Sequence, residues 1–285
     1  MVIKGTTRVY GIIGCPVKHS LSPVMQNQAF AACGMDAVYI PWQVTPEHLG
    51  DAVNGLRALG VCGFNVTIPH KTAILPLLDE LDESAARAEA VNTVRNDGGK
   101  LLGFNTDGDG LVKSLQTDLD CSVSGKSVVI AGAGGAARGA VPALCRAGAK
   151  KIAVANRSAG PARNLVDLMR KHYSSTELLA TDGYDAFPDL LADADILINT
   201  TSLGMNNEKI PYLNFAATSK NLVVYDMVYS PPVTPLLTDA ALTGLRGCNG
   251  LGMLAAQGEL AFAIWTGQAP PLGLMKQSLQ AILSP

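Results

Sequence analysis

The chain has 285 residues, 48% hydrophobic and only 16% charged, with a formal net charge of -2. That is enough for two domains with a sizeable core, and it excludes a disordered polymer, which combines few apolar residues with high net charge. Without a dense Lys/Arg tract the chain carries no electrostatic footprint for nucleic acid.

The N-terminal MVIKGTTRVYGIIGC has no leader pattern, and no apolar run reaches the roughly 20 residues of a membrane helix, so a soluble cytoplasmic protein is expected, without membrane partners. The six cysteines are scattered, with no C-x-x-C pair and no histidines at zinc spacing, so no metal is expected.

In chain order, Val9 to Ile13 reads as a strand. Ser22 caps a helix with Pro23 at its first position and Gly34 as its stop. Val38 to Trp42 is the next strand, Thr45 and Pro46 open a helix toward Leu59, Gly60 ends it, and Val61 to Thr67 forms a third strand. Asp97-Gly98-Gly99 between β-rich runs signals a hairpin that adds antiparallel strands. After a polar stretch near Thr117 to Gly125 a second α/β series begins, with strands at Val128 to Ala131, Lys151 to Ser158, Asp195 to Ser202 and Asn221 to Ser230. Two helical segments close the chain between Gly250 and Leu283, expected to pack back across the junction between the halves.

Gly132-x-Gly134-x-x-Ala137 follows the apolar run Val128 to Ala131. The first glycine permits a tight turn and the second lets a phosphate reach the backbone, with Ala133, Gly135 and Ala136 filling the motif; the small Ala137 lets the helix pack on the strand. The helix N-terminus then offers free N–H groups and partial positive charge. A lone motif of this kind also describes a plain packing turn; the strand before it, the helix after it and a further strand ending at Asn156 favour a dinucleotide. An NAD site usually carries an acid at that strand end, whereas Asn156-Arg157-Ser158 stands here. The Arg157 fork suits a ribose 2'-phosphate, so NADP is expected; the alternative is an arginine that merely faces solvent.

Ligands of α/β sheets sit outside the carboxyl ends of strands. Polar residues gather there: Ser20, Ser22, Thr67, Lys71, Asn92, Asn105 to Asp107, and Tyr229. Each alone has a plain structural reading: Ser22 as a cap, Asn92 in a turn, Lys71 opening a helix into solvent, Asp107 as a cap before Gly108.

Together SLSP (Ser20 to Pro23), NVTIPHK (Asn65 to Lys71), AVNT (Ala90 to Thr93), GFNTD (Gly103 to Asp107), GAGGAA (Gly132 to Ala137), NRS (Asn156 to Ser158) and GLGMLAAQG (Gly250 to Gly258) resemble the shikimate dehydrogenase family, collinear from near Tyr10 to beyond Gln257. The resemblance implies an α/β fold of two domains with a cleft between them. One is a substrate domain with a mixed sheet, from residues 1–106 and 247–285; the other is a Rossmann-like, doubly wound NADP domain, residues 107–246. It implies reduction of 3-dehydroshikimate to shikimate by NADPH, with Lys71 and Asp107 as the catalytic pair. It further implies Ser20, Ser22 and Tyr229 around the substrate carboxylate, Thr67, Asn92 and Gln257 at its ring, and Thr200, Met227 and Gly250 on the cofactor, Gly250 beside the nicotinamide. NADP-using relatives often carry Asn-Arg-Thr and a further basic residue, where this chain has Ser158 and Pro161 with Arg163 displaced, so a weaker NADP preference is implied. Ser22, where quinate-accepting relatives often have threonine, leans toward shikimate. A dual quinate/shikimate enzyme using NAD(P) and a non-catalytic dinucleotide- or cyclic-acid-binding regulator remain the alternatives. The sequence is compatible with a homodimer.

Overall fold

Apolar runs alternating with helical stretches build two sheets in the computed structural model, which describes residues 2–216 and 218–283, Ala159 by its backbone alone. The chain divides into two units: Met1–Gly110 with Leu254–Pro285, and Leu111–Met253.

The first unit runs β1 (Arg8–Gly14), α1 (Ser22–Ala32), β2 (Ala37–Gln43), α2 (Leu49–Ala58), β3 (Gly63–Val66), β4 (Glu80–Leu81), α3 (Glu83–Ala88), β5 (Thr93–Asp97) and β6 (Lys100–Phe104). Its mixed six-stranded sheet has the order β2-β1-β3-β5-β6-β4. Both partners of β1 are parallel to it, and β5 is antiparallel to β3 and β6. The hairpin falls where its glycines allow it, with Gly98 and Gly99 at φ 61° and 101°. α4 (Asp107–Leu119) leads from this unit into the second.

The second unit continues with β7 (Ser127–Ala131), α5 (Gly135–Arg146), β8 (Lys151–Asn156), α6 (Ala159–Arg170), β9 (Glu177–Asp182), α7 (Phe187–Ala192), β10 (Ile196–Asn199), β11 (Val223–Asp226), α8 (Pro235–Leu242) and β12 (Arg246–Asn249). Its six strands are all parallel in the order β12-β11-β10-β7-β8-β9, the doubly wound arrangement that βαβ connections impose. Apolar clusters flank the sheet on both faces, one around Ile130, Leu144 and Val154, the other around Ala131, Phe187 and Leu197. Strands covered on both faces read as continuous apolar runs, which is why β7, β8, β10 and β11 are recognisable in the sequence. Edge strands β9 and β12 are partly exposed and more polar, and sequence reading passes over them.

α9 (Leu251–Thr266) and α10 (Leu274–Leu283) end the chain. Within the first unit, Trp265 lies against Gly63, where a Cβ would stand 2.4 Å from the indole, and its Nε1–H donates to Val94 O at 2.9 Å. Phe262 packs on Phe30 with ring centroids 5.2 Å apart, and burying each phenylalanine contributes about 1.5–3 kcal/mol.

Local expectations are corrected at three places. Ser22 is not a cap: α1 takes Leu21 as its cap residue, and the Ser20 hydroxyl accepts from Ser22 N at 3.3 Å. Thr45 and Pro46 open a 3-10 turn, Pro46–His48, before α2 begins, and the buried Thr45 hydroxyl caps nothing. Lys71 opens no helix; it sits in a run of turns after Pro69.

Candidate active site

β3 is buried along its whole length, and the chain leaves it through Thr67 and Pro69 into the turn that carries Lys71. That turn is tied down on both sides of the lysine. The buried His70 ring contacts Val44 O at 2.7 Å, Ile74 N donates to His70 O at 3.0 Å, and Val91 N donates to Lys71 O at 2.7 Å. With its backbone held, Lys71 Nζ donates to Asp107 Oδ2 at 2.5 Å, the two side chains being 17% and 8% exposed.

Asp107 opens α4, where the helix dipole favours a carboxylate. Its other oxygen, Oδ1, accepts from Asn92 Nδ2 at 2.8 Å. Asn92 is itself oriented: Oδ1 accepts from Thr106 N at 2.8 Å, and Nδ2 also faces Thr106 Oγ1 at 2.9 Å and Gln257 Oε1 at 3.4 Å. Gln257 approaches because residue 110 is glycine; a Cβ there would lie 2.9 Å from Gln257 Cβ and N. Lys71, Asn92, Asp107 and Gln257 are thereby brought together.

Sequence reading missed the residues behind them. Tyr39 OH donates to Asn65 Oδ1 at 2.7 Å, Asn65 Nδ2 donates to Thr93 Oγ1 at 3.0 Å, and Thr93 Oγ1 donates to Asn92 Oδ1 at 3.0 Å. The signal was a polar residue inside an apolar strand run, Asn65 in GFNV, which a buried strand tolerates only when it is hydrogen-bonded. Burial raises the Tyr39 phenol pKa well above its ordinary value, partly offset by the neighbouring Ser22 hydroxyl, so Tyr39 stays a donor. Half-buried Ser20, buried Ser22 and half-buried Thr67 make no hydrogen bond to the Lys71–Asp107 pair among the described residues. Thr67 packs on Gly14, where a Cβ would stand 2.3 Å from its Cγ2.

In the second unit, β7 is followed by Gly132 at φ +106°, whose N–H donates to Ala155 O at 2.7 Å. A Cβ there would lie 2.6 Å from Thr200 Oγ1, which donates to Ala131 O at 2.8 Å. Gly134 precedes α5, no side chain caps the helix, and a Cβ at Gly134 would meet nothing within 4 Å. Partly exposed Gly135 and Ala136 begin the helix, buried Ala133 lies before it, and Ala137 is fully buried under its first turn. An uncapped helix start beside open space fits a pyrophosphate.

At the end of β8, Asn156 Nδ2 donates to Ser158 O at 2.9 Å and closes a turn that leaves Arg157 exposed and without an ion pair among the described residues. Arg163 is engaged elsewhere, its guanidinium 2.5 Å from Asp182 Oδ2. The guanidinium open to a 2'-phosphate is therefore that of Arg157, and the donor set fits NADP. Beyond β11, Met227 and Gly250 touch so closely that a Cβ on Gly250 would stand 2.2 Å from Met227 O. Half-buried Tyr229 follows, its phenol pKa raised by desolvation. Among the described residues no group of three or more His, Cys, Asp or Glu could hold a metal ion, and no helix is long and apolar enough to cross a membrane.

Three family models match the chain: the shikimate dehydrogenase substrate binding domain over residues 12–94, shikimate / quinate 5-dehydrogenase over 113–233, and the shikimate 5'-dehydrogenase C-terminal domain over 250–280. Shikimate dehydrogenase (NADP(+)) of Citrifermentans bemidjiense is 50% identical, covering 100% of this chain and 98% of that one. The chain belongs to the shikimate dehydrogenase family. Among solved structures, shikimate 5-dehydrogenase from Listeria monocytogenes in complex with shikimate and NAD superposes with a TM-score of 0.89 at 36% identity, covering 97% of this chain and 98% of that one. A shikimate dehydrogenase in complex with NADP+ gives 0.90 at 37% identity, covering 100% and 98%. Both sheets are therefore those of this family of oxidoreductases.

Proposed function

We propose that the chain catalyses the reversible reduction of 3-dehydroshikimate to shikimate with NADPH, with Lys71 as the general acid and Asp107 as its partner. The observation that carries this reading is the Lys71–Asp107 hydrogen bond of 2.5 Å, with Asn92 on the second oxygen of the same carboxylate. When bound, NADPH supplies a hydride. As the ketone carbon accepts it, negative charge grows on oxygen, and the Lys71 ammonium stabilises that charge and gives up its proton. In the direction of oxidation, neutral Lys71 takes the alcohol proton. Asp107 holds Nζ in place and accepts from a neighbouring ring hydroxyl.

The first unit is assigned the substrate: Ser20 and Ser22 hold the carboxylate, and Thr67, Asn92 and Gln257 hold the ring hydroxyls. Neutral hydroxyl donors orient an anion without placing a second cation beside the catalytic lysine. The second unit is assigned NADP. Gly132 to Ala137 and the start of α5 receive the pyrophosphate, Asn156, Arg157 and Ser158 the 2'-phosphate, and Thr200, Met227 and Gly250 the nicotinamide side. Six free cysteines fit a reducing cytoplasm.

Initial rates of the purified protein with shikimate and with quinate, each with NADP+ and NAD+, test the reading. Shikimate with NADP+ is expected to have the highest kcat/KM. Equal rates on quinate replace the reading by the dual-specificity enzyme, and absence of turnover in all four combinations replaces it by a non-catalytic binder.

A further inference from the structure

β10 and β11 end side by side, Asn199 in register with Asp226, and the side chains of both are fully buried together with Thr234. Asp226 Oδ1 accepts from Asn199 Nδ2 at 2.8 Å and from Val228 N at 3.0 Å, while Oδ2 accepts from Thr234 Oγ1 at 2.6 Å. Asn199 spends its remaining groups on the loop after β10: Nδ2 also donates to Leu203 O at 3.0 Å, and Oδ1 accepts from Thr201 N at 3.0 Å and Thr201 Oγ1 at 2.7 Å. Thr234 caps α8, and Gly204 closes the loop over it at φ +105°, where a Cβ would stand 3.3 Å from Thr234 Cβ.

A fully buried carboxylate is costly, and its pKa is raised by desolvation despite its donors. With donors on both oxygens the carboxylate is fully satisfied, and a satisfied buried network fixes the geometry of the segments it joins. What it holds is specific: one loop carries Thr200, and the other carries Met227 and Tyr229. Gly250 N is tied to the second loop as well, donating to Val228 O at 3.3 Å. Gly134 and Arg157, on the adenosine side, take no part in it.

We propose that Asp226 is a positioning residue for the nicotinamide half of the cofactor site, locking the loops after β10 and β11 in register with one another. The proposal rests on the NADP reading above. It requires that breaking the network harm the dinucleotide's nicotinamide end and leave the adenosine end intact.

Asp226→Leu removes both acceptor oxygens at similar volume, Thr234→Val removes a single donor and serves if the first variant does not fold, and Asp226→Asn keeps an acceptor and a polar partner for Thr234. Steady-state kinetics with NADPH are compared with calorimetric binding of adenosine 2',5'-bisphosphate, a probe of the adenosine half alone. Asp226→Leu is expected to raise KM for NADPH and lower kcat, each by about tenfold or more, with the affinity for the bisphosphate within about twofold of wild type. Thr234→Val should show the same split at smaller size, and Asp226→Asn should recover most of the loss. NADPH kinetics unchanged in a folded Asp226→Leu or Thr234→Val variant overturn the proposal, as does an equal loss of NADPH and bisphosphate binding, the signature of general loosening. Wild-type protein that binds neither NADPH nor the bisphosphate sinks the NADP reading, and this proposal with it.

Discussion

Asn92 Nδ2 donates to Asp107 Oδ1 at 2.8 Å, so the carboxylate that receives Lys71 on one oxygen is held from rotating by an amide on the other. Asn92→Ala removes that hold and leaves Thr106 N without its acceptor. Because the site is buried, the substitution is expected to destabilise the fold by about 1–3 kcal/mol in urea titration. The kcat should fall too, since a free carboxylate lets the ammonium drift from the reacting oxygen; an unchanged kcat would separate Asn92 from the chemistry.

Gly132 and Gly134 separate folding from binding within a single motif. Gly132→Ala forces a Cβ onto Thr200 at a left-handed φ and should cost about 1–3 kcal/mol, read as a lower urea midpoint. Gly134→Ala has open space and an ordinary negative φ, so the fold should be unaffected. Its methyl group stands where a phosphate must approach, and KM for NADPH should rise by about tenfold. Equal kinetics for Gly134→Ala and wild type would move the pyrophosphate elsewhere.

Arg157 and Arg163 are both exposed, but Arg163 pairs with Asp182, whereas Arg157 has no ion pair among the described residues. Losing one charge-assisted contact to a phosphate is worth about 1.5–3 kcal/mol, so Arg157→Ala should raise KM for NADP+ by about ten- to a hundredfold. The kinetics with NAD+, which has no 2'-phosphate, should stay within about twofold. A parallel loss with both cofactors would contradict the assignment.

How much of this was legible follows from where the physics is local. The strand-turn-helix of Val128 to Ala137 could be read because glycine, small-residue and apolar positions each answer a nearby steric demand. Lys71 and Asp107 could be named from ordered motifs, but their contact joins residues 36 apart in sequence. No local spacing specifies it. Tyr39, Asn65 and Thr93 were missed because their roles exist only once the strands of the mixed sheet bring their polar groups together. The Ser22 reading failed for a different reason: a serine before a proline looks like a cap, and which residue caps depends on backbone geometry.

Asp226 makes stability depend on pH in a direction opposite to most paired carboxylates. Burial raises its pKa above the ordinary 3.8, so the folded state holds the proton more tightly than the unfolded state does. The stability that this group contributes is present at low pH and is lost as pH rises from 3.8 through the raised folded value. Asp226→Asn lacks that loss. Its Tm relative to wild type should therefore become more favourable between about pH 4 and about pH 8, measured by calorimetry in matched buffers. A relative Tm that moves the other way would mean that the three donors outweigh desolvation.

The kcat of Lys71→Ala with shikimate and NADP+ tests the proposed chemistry most directly. With circular dichroism confirming the fold, kcat should drop by about a hundred- to ten-thousandfold while KM for shikimate changes little, the pattern of a group used mainly in the transition state. A near-normal kcat would remove Lys71 from the mechanism.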